Sequence, residues 1–232
     1  MRKALFCLIL LLSVFALRAQ TAEYKISALG IKVADLRIEF QPQKTVVKVQ
    51  NKGKISIFPH LNNLYEIEFD KQFLPKRYLR LVHQGELRDS VLTLYNAPVA
   101  TMYQKSTPGN TNYQIKPSTR DIFSFLRVIC SNKSAGGNYL VDGNGASWQA
   151  RVSVGEIDKI KTSLGTFAAR KHEISLRALS HEKAPYIDML TFNFLSEDTR
   201  ISIWISESGL PLKAQLKKKV LSMNWDIVSM HK

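Results

Sequence analysis

The fold is decided by residues 118–131, STRDIFSFLRVICS, the clearest helical segment in a chain that otherwise reads as successive strands. Its apolar side chains recur at positions i, i+3, i+4, i+7 and i+8, a spacing that places them on one face of a helix. They are Ile122, Phe125, Leu126, Ile129 and Cys130. The spacing predicts an amphipathic helix over about residues 119–131. An apolar helix face among strands requires a sheet to cover it.

Polar residues of the same stretch predict how the helix begins and what it contacts. Ser118, with Asp121 three residues later, fits a capping box, and Pro117 blocks helix before it. Asp121 and Arg127 do not share a helix face, so each is expected to pair with the sheet. The alternative for Arg127 is to hold an anionic headgroup at the mouth of a cavity. Cys130 is interpreted as a small apolar core residue rather than as a nucleophile.

Alternation of apolar and polar residues dominates the rest of the chain. Residues 36–40 and 201–205 show this period of two, which is typical of half-buried strands. About fourteen such segments follow one another, including one at residues 190–194, with turn signals such as Asp142-Gly143-Asn144-Gly145 between them. The segments do not alternate between strand and helix, as those of a parallel sheet do, so a parallel sheet is not expected. The sequence therefore predicts a mainly β fold, a large curved antiparallel sheet or open barrel packed around the single helix.

The first residues have the features of a secretory signal peptide. Arg2 and Lys3 precede an apolar run over residues 4–17. That run is shorter than the ~20 residues that span a bilayer comfortably. We therefore interpret residues 1–19 as a cleaved signal, with an uncleaved anchor as the alternative. Residues 20–232 then form a single β-rich domain exported to the periplasm.

The chain is basic, which bears on its partners. The formal net charge of +14 becomes +11 if Arg2, Lys3 and Arg18 leave with the signal. A basic surplus favours anionic surfaces such as acidic glycans or lipid headgroups, so peripheral membrane contact is one expectation. Nucleic acid is not expected as the partner of an exported chain. The run at residues 217–219, three lysines, is interpreted as a solvated turn, with weak contact to anionic lipid as the alternative.

The sequence offers no arrangement typical of an enzyme or a metal protein. The five histidines are scattered, without the spacing of a zinc site and without an HExxH motif. Gly145 begins a segment that lacks the second glycine of a nucleophile elbow. Neither catalytic residues nor a metal or cofactor are predicted.

Several segments, in the same order, resemble an exported bacterial family known as domain of unknown function 3108. The resemblance implies an envelope location and a β-rich fold, and it implies no catalytic residues. Ala34 stands where a second glycine is expected, so the bulge there is expected to differ. The segments that carry the resemblance are residues 24–34, 73–78, 121–127, 162–171 and 203–213.

These observations favour a noncatalytic exported envelope protein that binds a lipophilic or anionic ligand in a cavity between sheet and helix. The expected lining is Phe123, Phe125, Leu126 and Trp204, with Arg127 at the rim. Trp204 alternates with three isoleucines, so it faces the other side of its strand and either packs or lines a pocket. The alternative function is a structural or assembly partner of another envelope protein, without a small ligand. An enzyme acting on glycan or peptidoglycan is a third hypothesis.

Overall fold

The computed structural model describes residues 20–51, 60–132, 134, 136–180, 183–188, 190, 194–219 and 221–231. The predicted signal segment, residues 1–19, lies outside these described residues. So does part of the strand predicted at residues 190–194. Within the described residues, no helix combines the length and the apolar character needed to cross a bilayer.

The fold is mainly β, as the alternation predicted. The strands are β1 Gln20–Ala28, β2 Ile31–Phe40, β3 Lys44–Gln50, β4 Asn62–Phe69, β5 Pro75–Gln84, β6 Leu87–Asn96, β7 Val99–Gln104, β8 Asn110–Gln114, β9 Gly137–Asp142, β10 Ser147–Thr162, β11 Gly165–Ala178, β12 Thr199–Ser206, β13 Pro211–Lys218 and β14 Leu221–His231. One helix, α1 Ile122–Ser131, lies between β8 and β9.

All fourteen strands belong to one curved antiparallel sheet, in the order β8-β7-β6-β5-β4-β3-β2-β1-β14-β13-β12-β11-β10-β9. The first and last strands pair with each other at the centre, so two meanders meet at the β1–β14 ladder. The edges are β8 and β9, which are consecutive in sequence and are joined by the segment that contains α1. The predicted curved sheet around a helix is confirmed.

The helix begins later than the sequence predicted. Its N-cap is Asp121, whose Oδ1 accepts hydrogen bonds from the backbone N–H groups of Phe123 (2.8 Å) and Ser124 (3.1 Å). The predicted start near residue 119, with Ser118 in a capping box, is therefore wrong. The reason is that Arg120 is extended and forms a parallel bridge with Val141. The carboxylate at the next position can then cap the helix by itself.

The helix contributes to two apolar clusters and thereby joins the halves of the sheet. Phe123 packs with Tyr65 and Tyr78, at ring-centroid distances of 5.5 and 6.1 Å. The side chains that pack against β9–β13 are Ile122, Phe125, Ile129 and Cys130. Burial of each large side chain contributes about 1.5–3 kcal/mol. Both faces of the helical stretch are therefore covered by the same sheet.

Side chains, and not a backbone ladder, hold the two sheet edges together in the described residues. The Tyr113 hydroxyl, on edge strand β8, donates to Asp142 Oδ2 on edge strand β9 at 2.9 Å. Tyr95 donates to the same oxygen at 2.8 Å. The bridge between Arg120 and Val141 adds two backbone hydrogen bonds. The Arg120 N–H donates to the Leu140 oxygen at 3.0 Å, and the Asp142 N–H donates to the Arg120 oxygen at 2.7 Å. The sheet thus curls until its edges meet, without closing into a continuous barrel.

One predicted strand is wrong. Leu190 and Phe194, expected on a strand over residues 190–194, belong to none of the fourteen strands. Both pack against the apolar clusters inside the sheet. A short alternating apolar run does not by itself distinguish a strand from another kind of segment whose side chains are buried.

Candidate ligand-binding cavity

An apolar cavity of about 290 Å³ lies inside the curved sheet, beside the start of α1. Strands β1 to β4, β13 and β14 form its wall, and Phe123 contributes from the helix. Its lining residues are Ile26, Ala28, Val33, Ala34, Leu36, Ile38, Val47, Val49, Leu61, Asn63, Tyr65, Phe123, Leu190, Phe194, Leu216, Leu221, Met223 and Trp225. The cavity is apolar because alternate residues of these strands point inward and nearly all of them are hydrocarbon.

Small side chains help to leave this space open. Ala34 on β2 pairs with Ile26 on β1, and Ala28 pairs with Met223 on β14. Alanine at an inward position leaves room that a longer side chain would fill. Protein interiors contain few voids larger than a water molecule, so a cavity of this volume is unusual for a packed core.

The polar groups of the wall are few. Asn63 is satisfied, because its Nδ2 donates to the Tyr65 hydroxyl (3.1 Å) and its Oδ1 accepts from the His83 backbone N–H (2.9 Å). Burial raises the pKa of Tyr65 well above its ordinary value, so its phenol is neutral. Trp225 Nε1 is buried and has no hydrogen-bond partner among the described residues. The wall therefore suits an uncharged apolar group, with one donor free for an acceptor.

The structure divides the residues predicted to bind ligand among different places. Phe123 lies in the cavity wall. Phe125 and Leu126 line an adjoining gap of about 30 Å³, which shares part of its lining with the cavity, including Phe123, Phe194 and Trp225. Ligand binding by these residues stays a prediction.

Trp204 lies outside both spaces. It sits on the face of β12 opposite the isoleucines, and its ring lies between Lys171 Nζ (5.6 Å to the ring centroid) and Lys213 Nζ (5.7 Å). Register pairs Trp204 with both lysines across the neighbouring strands. The indole ring is thus partly buried against an apolar cluster and has two ammonium groups within cation–π distance.

Arg127 contacts the sheet, which is the first of the two alternatives that the sequence offered for this residue. Its Nη2 donates to the Gln41 backbone oxygen at 3.2 Å. Its guanidinium carbon lies 5.1, 5.9 and 5.5 Å from the ring centroids of Phe40, Phe69 and Phe73. Gln41 and Phe73 belong to turns at the end of the sheet away from the β1–β2 turn. Arg127 therefore holds the helix against this end of the sheet, and it does not line the cavity.

A second buried cluster, centred on Arg80, was missed by the sequence analysis. Arg80 is 0% exposed. Its guanidinium donates to Asn144 Oδ1 and to Thr93 Oγ1, the latter at 2.6 Å. It also lies 4.6 Å from the Tyr78 ring centroid and 5.2 Å from that of Tyr186. The partners are far apart in sequence, so only the turn at residues 142–145 gave a signal, and that turn was interpreted as a hairpin alone.

Two carboxyl groups near this cluster have perturbed acidity. Burial raises the pKa of Asp142 above its ordinary value, although hydrogen bonds from the Gly145 N–H, Tyr95 and Tyr113 oppose the shift. Burial likewise raises the pKa of Asp121, opposed by its hydrogen bonds as helix cap. Raised carboxyl pKa values occur in general acids. Here both groups are at most 5% exposed. Both Asp142 oxygens accept hydrogen bonds, whereas Asp121 accepts them at Oδ1 alone and its buried Oδ2 has no partner among the described residues. The bonds to Asp142 fit closure of the sheet.

Cys130 is buried, and burial raises the pKa of its thiol to about 12. A thiol with that pKa is a poor nucleophile at neutral pH. Among the residues that the structure describes, no three His, Cys, Asp or Glu side chains converge as metal ligands would.

The fold is similar to that of a solved Brucella abortus protein. That protein is described as a β-barrel-like protein of domain of unknown function 1849, with a TM-score of 0.60 and 10% identity, covering 91% of this chain and 96% of its own. A Bacteroides fragilis protein with a YmcC-like fold, thought to be exported, has a TM-score of 0.35 at 10% identity and covers 92% and 94% of the two chains. A Parabacteroides distasonis protein, thought to be a lipoprotein, has a TM-score of 0.34 at 9% identity and covers 93% and 96%.

No family model and no curated protein matches the sequence. The resemblance to domain of unknown function 3108 therefore stays an expectation. At 10% identity, the Brucella abortus structure shows a shared β-barrel-like fold and nothing about function.

Proposed function

We propose that this protein is a noncatalytic, exported component of the cell envelope that binds a lipophilic ligand in the cavity beside α1. The observation that carries the proposal is the apolar space of about 290 Å³ between the sheet and the helix. An apolar cavity of ~150 Å³ engineered into another protein stays dry and binds benzene, so a larger one has room for a longer hydrocarbon. The signal-like residues 1–19 support the envelope location.

The size and chemistry of the cavity favour one hydrocarbon chain over a charged or bulky polar ligand. The space is about twice the ~150 Å³ apolar cavity that accepts benzene in another protein, so it has room for a chain of several methylenes. Burying eight methylenes at ~0.8 kcal/mol each gives ~6 kcal/mol before the costs of binding. Such an affinity is weak enough for the ligand to leave, as carriage between envelope locations requires.

Two matched substitutions on the same face of the sheet test the proposal. Ala34→Leu extends a side chain into the cavity, so we expect the free energy of unfolding to stay unchanged or rise, because a void is filled. Ala22→Leu adds the same atoms at a buried position that does not line the cavity. It should destabilise the protein by about 1–3 kcal/mol through overpacking, without affecting the ligand.

The readout is mass spectrometry of protein purified from its own envelope without detergent. We expect a copurifying lipid or fatty acyl compound with the unchanged protein and with Ala22→Leu, and its loss with Ala34→Leu. A protein that carries no lipophilic compound would overturn the proposal. A stoichiometric protein partner found by crosslinking in that case would support the assembly function.

A further inference from the structure

The turn between β1 and β2 exposes apolar side chains in an unusual backbone conformation. Leu29 is 74% exposed and has a positive φ of 51°. Ile31, two residues later, is 48% exposed. Left-handed backbone costs an ordinary L-residue roughly 1–2 kcal/mol, and Asn or Gly adopts it more readily. Neither stability nor solubility explains a leucine at this position.

The same turn stands at the rim of the cavity. Ala28 and Val33, which flank it, both line the cavity. The Leu29 backbone N–H contacts the Ser222 backbone oxygen at 3.4 Å, next to Leu221, which also lines the cavity. The exposed apolar tip therefore adjoins the end of the cavity formed by β1, β2 and β14.

Basic side chains lie beside the tip in the sequence and at the neighbouring strand ends. Lys32 follows the tip, Lys217 lies near the end of β13 and not in a turn as the sequence suggested, and Lys219 lies in the β13–β14 connection; all three are exposed. Lys32 and Lys219 contact Asp35 (2.6 Å) and Asp198 (3.5 Å), but exposed ion pairs are weak and exchange readily with other anions. Exposed apolar residues with neighbouring lysines match the interface of a bilayer with anionic headgroups.

We propose that the tip formed by Leu29 and Ile31 inserts into an anionic lipid surface, which brings the rim of the cavity against the membrane. This step deepens the proposed function, because it states where a lipophilic ligand would enter and leave. The docking itself requires only the tip and its lysines. It combines shallow apolar insertion with electrostatic attraction, the two contributions that peripheral membrane binding needs.

Vesicle flotation tests the docking separately from ligand carriage. The probes are vesicles containing phosphatidylglycerol and vesicles of phosphatidylcholine alone. The variant Leu29→Asn with Ile31→Thr keeps residues suited to the turn and the strand while removing the apolar tip. Ile157→Thr is the matched control, since Ile157 is 51% exposed on β10, away from the tip.

We expect the unchanged protein to bind the anionic vesicles, and the double tip variant to bind at least about tenfold more weakly, a loss of ~1.4 kcal/mol. Ile157→Thr should bind like the unchanged protein. Raising the salt concentration from about 0.1 to about 0.5 M should weaken binding, because it screens the lysines.

Equal binding by the tip variant and the unchanged protein, or no preference for anionic vesicles, would overturn the docking. If docking fails while lipid still copurifies, the proposed function stands and this inference falls. If docking succeeds and no lipid copurifies, the tip is a membrane anchor and the carriage proposal falls.

Discussion

The substitution Arg80→Met gives the sharpest test of how this open sheet is held in shape. Arg80 is 0% exposed and joins β5 and β6, through Thr93, to the β9–β10 turn, through Asn144. Methionine retains a flexible chain and removes the charge and all its donors. Thr93 and Asn144 then lose the hydrogen bonds they accept from the guanidinium while staying buried, and nearby Asp142 loses a cation that favours its ionised form.

The expected loss of stability follows from the buried hydrogen bonds that the variant removes. Each hydrogen bond to a charged group contributes about 1.5–3 kcal/mol, and breaking a buried charged arrangement from one side costs about 3–5 kcal/mol. We therefore expect the free energy of unfolding to fall by about 3–5 kcal/mol. For a chain of this size, that corresponds to a fall in Tm of about 6–20 °C.

Urea denaturation is the assay, since the midpoint and the slope separate a change in stability from a change in the unfolded state. Arg77→Met is the control on the same strand, because Arg77 is partly exposed and its Glu68 contact is 3.4 Å long. Its effect should stay within about 0.5 kcal/mol. A loss below about 1 kcal/mol for Arg80→Met, or an equal loss for both variants, would refute the reasoning.

Three further predictions concern the helix and the hydrogen bond from Tyr113 to Asp142 between the sheet edges. Tyr113→Phe removes the hydroxyl that bonds Asp142 across the sheet edges, so we expect a loss of about 1–3 kcal/mol in urea denaturation. Asp121 has a raised folded pKa, so the stability it contributes is present below about pH 4 and is lost as the pH rises through that pKa. Asp121→Asn should keep the cap and make the stability above about pH 4 less pH-dependent, whereas Asp121→Ala should also remove this pH dependence and cost about 0.5–2 kcal/mol relative to Asp121→Asn through loss of the cap. Cys130, with a pKa raised to about 12, should react with a thiol reagent at pH 8 at least about a hundredfold more slowly in folded than in unfolded protein.

Local periodicity in the sequence was sufficient for the architecture. Strands such as β12 and β13 alternate cleanly, and the apolar positions of α1 repeat at helical spacing, because each pattern reflects which side of one element meets the core. The sequence also predicted correctly that Trp204 faces away from the isoleucines of its strand. The orientation of Trp204 depends only on backbone geometry within one element. Of the two residues expected to pair with the sheet, Arg127 does so, whereas Asp121 hydrogen-bonds the backbone of its own helix.

Tertiary structure alone decided the start of the helix, the cavity and the buried cation. Asp121 became the cap because Arg120 was drawn into a bridge with Val141 on β9. Arg80 alternates with apolar Leu79 and Leu81, so the pattern of β5 did not say which face was buried. Its partner Asn144 lies 64 residues away, and such a pairing exists only once the sheet has curled and brought β5 to the β9–β10 turn. The cavity also depends on tertiary structure. Its volume is the space left between side chains of strands that are far apart in the sequence, so it exists only in the folded sheet.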